Sequence, residues 1–443
     1  MIEAFLLDAG TFLLRWLHVV AAIAWIGESF YFVALDRGLA PPKQPVQGLA
    51  GESWSVHGGG FYLKQKFMPA PAQLPEVLHW SKWKSYTTWL SGFALLSVTY
   101  LASPQIHLID PTVAALTPVQ GVATVLALIA GGWFAYDALC RLIGSGERWL
   151  GLAVAVLVVA LCLTTTALLS GRAAYLVTGA VLATWMSANV FFVIIPGQRR
   201  MVDALQRGES PNPLDGQRGK QRSVHNTYFT LPVVFAMLST HYAAAWASPH
   251  NGWALVLFLL AAALIRQFFV AWHSGGRLWS LLAGGGVALV LALAVIAPRL
   301  GGDRGSDLGG GRGGQADAPA LGDTSNPAST SSGERAAATD LADASTQTPT
   351  GAEQAASAAP TAEAVLAVLQ SRCSGCHAAQ PQLMPAPPKG VVFATVDDVA
   401  RHAELIHKQT VLLRIMPPGN LTQMTEDERA LIARWFAQAG STR

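Results

Sequence analysis

The run LGLAVAVLVVALCLTTTALL, Leu150 to Leu169, contains 20 residues and no charged side chain. A helix rises about 1.5 Å per residue, so about 20 apolar residues reach across the roughly 30 Å hydrocarbon core of a bilayer. Similar runs recur along the first 300 residues, and the chain is 51% hydrophobic and 13% charged. Because this is about half the charged fraction of a soluble domain, the sequence predicts an all-α integral membrane protein.

The apolar runs predict eight membrane helices within residues 1–300. Their bounds are Thr11 to Ala34, Tyr86 to Ala102, Pro118 to Leu139, Leu150 to Leu169, Ala174 to Ile195, Tyr228 to Ala247, Trp253 to Trp272 and Trp279 to Ala297. WIGESFYFV (25–33) aligns with WMSANVFFV (185–193), and ALLSVTY (94–100) aligns with AMLSTHY (236–242). These pairs predict two four-helix halves in the same orientation, although chance matching of apolar sequence remains an alternative.

The distribution of basic residues predicts the orientation of these helices. The first and fifth connecting loops each carry six, namely Arg37, Lys43, Lys64, Lys66, Lys82 and Lys84, and Arg199, Arg200, Arg207, Arg218, Lys220 and Arg222. The second and sixth loops carry none. Because Lys and Arg are retained on the cytoplasmic side, both termini are predicted to face the periplasm of a bacterial inner membrane. The net charge of +3 gives no reason to expect a nucleic-acid partner.

The C-terminal part of the chain changes composition twice. Residues 301–359 are rich in Gly, Ala, Ser, Thr and Pro and contain almost no large apolar residue, so they predict a flexible linker. Residues 360–443 predict a small helical domain. The predicted organisation is therefore a membrane domain, a linker and a small helical domain.

The last domain contains a haem-attachment sequence. In SRCSGCHAAQ (371–380), Cys373, Cys376 and His377 have the C-x-x-C-H spacing of c-type cytochromes. The two thiols are predicted to form thioethers with one haem c, and His377 is predicted to be an axial ligand of the iron. Met416, which precedes two prolines in RIMPPGN (414–420), is the predicted sixth ligand. His/Met ligation suits electron transfer, and attachment outside the cytoplasm agrees with the predicted orientation. Residues 360–443 therefore resemble class I cytochromes c and are predicted to be a cytochrome c domain.

Several motifs together resemble one known family. They are WIGESFYFVALDRG (25–38), GGGFYLKQKF (58–67), IIPGQRRMVDAL (194–205), SVHNTYFTLP (223–232), PPKGV (387–391) and MPPGNLTQMTEDER (416–429). The chain resembles the bacterial membrane-bound urate hydroxylases, or urate oxidases, in which an eight-helix membrane domain is fused to a cytochrome c. The resemblance implies oxidation of urate to 5-hydroxyisourate, with electrons passing to haem c and then to the respiratory chain. A soluble cytochrome c or a terminal oxidase is the implied acceptor, and no hydrogen peroxide is formed.

Polar groups inside the predicted helices are candidates for the urate site, because ionisable groups are costly in lipid and mark functional sites. Glu28 and His225 are candidate catalytic bases. The candidate substrate-binding residues are Trp25 for stacking on the purine, Asn189 for its N–H edges, and Arg266 and His273 for its negative charge. The alternative is that these groups pair with one another or with lipid head groups.

Two further features leave alternatives open. His18 and His241 are candidate ligands of a membrane haem b, which would relay electrons across the bilayer, or else they are core histidines with satisfied hydrogen bonds. The glycine run and aromatic residues of GGGFYLKQKF predict a lid over the cytoplasmic mouth of the domain. The rival functions are a membrane-anchored cytochrome that relays electrons from quinol or a partner dehydrogenase, and a metal or haem transporter.

Overall fold

A computed structural model describes residues 2–44, 46–144, 146–297, 360–384 and 387–441. Nearly all regular structure is helical, which confirms the predicted all-α class. The predicted linker, 301–359, lies outside the described residues, so the proposed domain bounds stay predictions. Residues 1–297 and 360–443 belong to one compact unit.

The N-terminal part consists of helices and one two-stranded sheet. The elements are α1 (Ile2–Arg37), β1 (Leu49–His57), β2 (Gly60–Phe67), α2 (Trp83–Leu96), α3 (Pro104–His107), α4 (Pro118–Ile143), α5 (Glu147–Leu168), α6 (Gly171–Ala188), α7 (Ile195–Gln206), α8 (Pro213–Ser239), α9 (Ala243–Trp246), α10 (Asn251–His273) and α11 (Trp279–Ile296). Helix α2 continues as a π-helix over Ser97–Leu101, and α6 continues into α7 through a π-helix over Asn189–Ile194.

Among the described residues, six helices are long and apolar enough to cross a membrane. They correspond to six of the eight predicted spans, and the other two predicted spans fall on α2 and α8. The span predicted for Tyr228 to Ala247 is wrong at both ends. The helix begins at Pro213, where the Asn212 side chain accepts a hydrogen bond from the Leu214 N–H at 3.0 Å, and it ends at Ser239. The polar first half of α8 carries a cluster of basic residues. The hydrophobicity pattern predicts a loop for these residues.

Helix α6 lies at the centre of the helical packing. Trp185, Tyr175 and Leu182 are fully buried, and small residues let the neighbouring helices approach them. A Cβ added at Gly132 of α4 would lie 2.9 Å from Val181, and one added at Gly179 would lie 2.8 Å from Ala236 of α8. The polar residues at the end of α6 are therefore enclosed by α4 and α8.

Strands β1 and β2 form an antiparallel hairpin that was not predicted. Gly58 and Gly59 occupy the two central turn positions with φ of 56° and 80°, as a type I′ turn requires. The hairpin lies in the segment that was predicted to be a loop forming a lid over the cytoplasmic mouth of the domain.

The C-terminal segment contains four helices among its described residues. They are α12 (Ala362–His377), α13 (Val396–Arg401), α14 (Ala403–His407) and α15 (Glu426–Ser441), with a π-helix over Lys408–Leu412 and single 3₁₀ turns at Pro388–Gly390 and Pro418–Asn420. Val365 and Leu369 of α12 pack with Ile432 and Trp435 of α15 in a small apolar core. This core fixes the end of α12, which carries the haem-attachment sequence.

Candidate functional site

A buried ion pair joins α4 and α8 inside the helical bundle. Arg222 donates from Nη2 to Oδ1 of Asp137 at 2.6 Å and from Nη1 to Oδ1 of Asn189 at 3.1 Å. The Arg222 side chain is 4% exposed and that of Asp137 is 13% exposed. Burial makes this pair sensitive to the loss of either partner, because the remaining charge would lose its buried counter-ion.

The network continues to a tyrosine and a histidine. The Nδ2 of Asn189 donates to the hydroxyl of Tyr136 at 3.0 Å and to Oδ1 of Asn226 at 2.8 Å. The Tyr136 hydroxyl is 2.8 Å from Nδ1 of His225. In the tautomer that donates from Nδ1 to this hydroxyl, His225 presents an unprotonated Nε2. Such a group can accept a proton from a bound substrate.

Aromatic rings surround this network, which we call the Arg222 network (Tyr136, Asp137, Asn189, Arg222, His225 and Asn226). The rings of Tyr136 and Trp185 are stacked at 4.9 Å with an interplanar angle of 5°. The Arg222 guanidinium lies 5.1 Å from the Tyr136 ring centroid. The indole N–H of Trp185 is buried and has no hydrogen-bond partner within the described residues. The network is therefore polar but enclosed in an apolar shell.

Arg266 is a second buried cation, on α10, and its environment is different. It is 4% exposed, its Nε donates to the Thr227 carbonyl at 3.4 Å, and its Cζ lies 4.0 Å from the centroid of the Phe30 ring. Its Nη2 has no hydrogen-bond partner among the described residues, and no ion pair to it is found there. An uncompensated buried cation favours an anion as its ligand.

The other residues of the predicted urate site do not join these groups. Oε1 of Glu28 is 2.7 Å from Nζ of Lys84 and accepts a hydrogen bond from Ser81 at 2.5 Å. Trp25 packs against the apolar core, and His273 is exposed at the end of α10. Of the predicted residues, only Asn189 and His225 share one hydrogen-bonded network.

The two candidate haem b ligands lie in different surroundings. His18 is half-buried, and its Nδ1 is 3.0 Å from the Thr88 carbonyl and 3.1 Å from Oγ of Ser91. Its ring fills the space above Gly92, where an added Cβ would lie 2.7 Å from Cε1. His241 is exposed. No contact between the two histidines is found in the described part of the chain, so the haem b site stays a prediction.

The residues predicted to attach haem have the chemistry that haem c requires. Cys373, Cys376 and His377 lie in the last turn and a half of α12. Nδ1 of His377 is 2.9 Å from the Val391 carbonyl, so in the tautomer protonated at Nδ1 the ring keeps Nε2 for the iron, as axial histidines do. Burial raises the pKa of the Cys373 thiol to about 12, so the free thiol is neutral at physiological pH.

The loop that carries Met416 contacts the helical bundle. The Met416 carbonyl accepts from Nη1 of Arg429 at 3.1 Å, and Oδ1 of Asn420 accepts from Nη2 at 3.3 Å. Gly419 lies between Met416 and Asn420 in the sequence and has a φ of 55°. A Cβ added to it would lie 2.6 Å from the Ile109 carbonyl oxygen. The connection after α3, which contains Ile109, therefore touches the loop of the predicted sixth ligand.

The sequence did not identify the centre of the Arg222 network. Arg222 was counted as a loop residue that sets the topology, and Tyr136 was not singled out. The available signal was the spacing of Arg222, His225 and Asn226, which puts the three on one face of a helix. That signal requires α8 to begin before residue 222, which the hydrophobicity pattern did not suggest. Cys140 and Cys162 are buried.

Comparison with known proteins gives one match. Residues 4–297 match the family described as urate oxidase N-terminal, which covers the whole helical bundle with its Arg222 network and Arg266. No significant match is found to a curated protein or to a solved structure. The matched residues make up well over half of the chain, and the protein therefore belongs to the urate oxidase N-terminal family.

Proposed function

We propose that the protein is a membrane-bound urate hydroxylase that oxidises urate to 5-hydroxyisourate and passes the electrons to a covalently bound haem c. From haem c the electrons continue to the respiratory chain through a soluble cytochrome c or a terminal oxidase, and no hydrogen peroxide is made. The observation that carries this proposal is the family match over residues 4–297. The C-x-x-C-H sequence in the same chain supports a haem acceptor instead of dioxygen.

The stoichiometry defines what the bundle has to supply. The urate monoanion and one water give neutral 5-hydroxyisourate, one proton and two electrons. The site therefore needs a cation that binds the anion, a group that takes the proton and an outlet for single electrons. When bound at Cys373, Cys376, His377 and Met416, haem c supplies the one-electron acceptor.

The chain offers one residue for each of the first two roles. Arg266 carries the uncompensated positive charge, so we assign it the role of binding the urate anion. His225 is assigned to take the proton, because Glu28 is already engaged in an ion pair with Lys84. Thr227, whose carbonyl accepts from Arg266, is two residues from His225. The two assigned residues therefore lie at nearly the same level of the bundle.

The test is anaerobic addition of urate to membranes that contain the protein, with the haem c absorption as the readout. Reduction of the haem by urate supports the hydroxylase. Reduction by quinol and not by urate would instead identify an electron conduit. In labelled water, the new oxygen of the product should carry the label. Label from dioxygen together with stoichiometric peroxide would contradict the proposal.

Replacing Met416 tests the assignment of the sixth ligand. Met416→Ala is expected to lower the reduction potential of the haem, because the thioether stabilises the ferrous iron, and to slow reduction of the haem by urate while urate binding is unchanged. Spectroelectrochemistry measures the potential. Met384→Ala, a change of the same residue type in the same segment, is the control and should leave the potential unchanged. Equal potentials in both variants would exclude Met416 as a ligand.

The contact between Gly419 and Ile109 predicts that electrons enter the C-terminal segment through the loop that carries Met416. Gly419→Ala should slow the reduction of haem c by urate severalfold, because the new methyl group displaces the loop from Ile109. Gly390→Ala is the matched control. It has a φ of 68°, and no atom of the described residues lies within 4 Å of an added Cβ, so it carries a similar backbone strain of about 1 kcal/mol without a clash. If stopped-flow measurements gave equal rates of haem c reduction by urate in both variants, electron transfer would not depend on this contact.

A further inference from the structure

The β1–β2 hairpin presents an apolar face that the described part of the chain leaves uncovered. The register pairs Trp54 with Leu63 and Val56 with Phe61. Directly paired residues of an antiparallel sheet lie on the same face, so these four side chains form one patch. Phe61 is 78% exposed and Val56 is 69% exposed.

The opposite face of the hairpin is held against α1. Nζ of Lys64 lies 5.1 Å from the centroid of the Tyr31 ring, and Nζ of Lys66 is 2.7 Å from Oδ2 of Asp36. The Glu52 N–H also donates to the Ala40 carbonyl at 2.9 Å, just after α1 ends. The hairpin is therefore fixed beside the last two turns of α1, and its apolar patch points away from them.

Helix α1 places this patch at the level of a membrane boundary. It is one of the six helices with the length and composition of a membrane span. Tyr31 lies near the end of its apolar run, and Asp36 and Arg37 lie just beyond it. A side chain fixed beside Tyr31 is therefore at the depth where hydrocarbon meets head groups. Trp favours this depth, Phe and Leu insert there from the apolar face of interfacial segments, and Lys and Arg near it favour anionic lipids.

We propose that the apolar face of the hairpin inserts into the interfacial layer of the bilayer that α1 crosses. Trp54, Val56, Phe61 and Leu63 enter the boundary between head groups and acyl chains. Arg37, which ends α1, and the exposed Lys43, on the connection to β1, lie beside lipid phosphates. The hairpin acts as a monotopic anchor that fixes the end of α1 relative to the membrane surface. This inference does not depend on urate chemistry.

Two adjacent residues of β2 provide a matched test. Phe61 and Tyr62 are both exposed aromatic side chains on opposite faces of the hairpin. Single Phe61→Cys and Tyr62→Cys variants of the full-length haem-loaded protein would carry a nitroxide label in vesicles of phosphatidylcholine and phosphatidylglycerol. Cys140 and Cys162 are buried, so the added thiol is labelled selectively. Power saturation would measure access of dioxygen, which partitions into lipid, and of a water-soluble nickel chelate.

The label at position 61 is expected to be accessible to dioxygen and shielded from nickel. Its oxygen-to-nickel accessibility ratio should exceed that at position 62 severalfold, and a label at Val56→Cys should behave like the one at 61. High nickel access at both 61 and 62 would overturn the proposal and show a solvated hairpin. Shielding of position 61 from both reagents would also overturn it, because a protein surface, such as a second copy of the chain, would then cover the patch.

Discussion

Replacing Arg266 with glutamine is expected to weaken urate binding about a hundredfold, a loss of about 3 kcal/mol, the scale for removing one partner of a buried charge pair. The same change is expected not to lower the thermal stability of the protein without urate. Arg266 has an unpartnered Nη2 and only a long hydrogen bond to the Thr227 carbonyl. Removing an uncompensated buried charge relieves a desolvation cost of several kcal/mol, which offsets the lost contact with the Phe30 ring.

The experiment combines urate titration of the purified protein with thermal unfolding in the same detergent. Arg266→Lys, which keeps the charge but loses the planar guanidinium, should bind urate with intermediate affinity. A purely structural role for Arg266 predicts the opposite pattern. Arg266→Gln would then unfold at a lower temperature and bind urate as the parent protein does.

The sequence was sufficient to predict the helical architecture but not the hairpin. Apolar runs such as the one in α5 are long enough to specify a membrane helix by composition alone. The hairpin also carried a signal, since the glycine pair at 58–59 separates two segments in which Trp54, Val56, Phe61 and Leu63 alternate with polar residues. The run of basic residues in the same segment was interpreted as a loop that sets the topology, so the alternation was not recognised.

The candidate site shows what sequence cannot determine. Arg266 was identified because it is an isolated charge within an apolar run, a pattern that needs no knowledge of its partners. Arg222 could not be assigned in the same way. Its role depends on Asp137, which lies 85 positions earlier in the chain, and contacts at such separation are set by how α4, α6 and α8 pack together.

Arg222 and Arg266 are both buried arginines, and their different partners predict opposite effects on stability. Arg222→Met is expected to destabilise the protein by about 3 kcal/mol or more, because it leaves Asp137 without its buried partner.

Arg141 provides the control for Arg222. The distance from its Nε to Oδ2 of Asp137 is also 2.6 Å, but its side chain is 74% exposed. Arg141→Met should cost at most about 1 kcal/mol, the usual scale for an exposed pair. Thermal unfolding of both variants and of Arg222→Met/Asp137→Leu measures the difference, and the double variant should recover part of the loss because no buried charge remains unpaired. Equal losses from Arg222→Met and Arg141→Met would show that burial does not strengthen this pair.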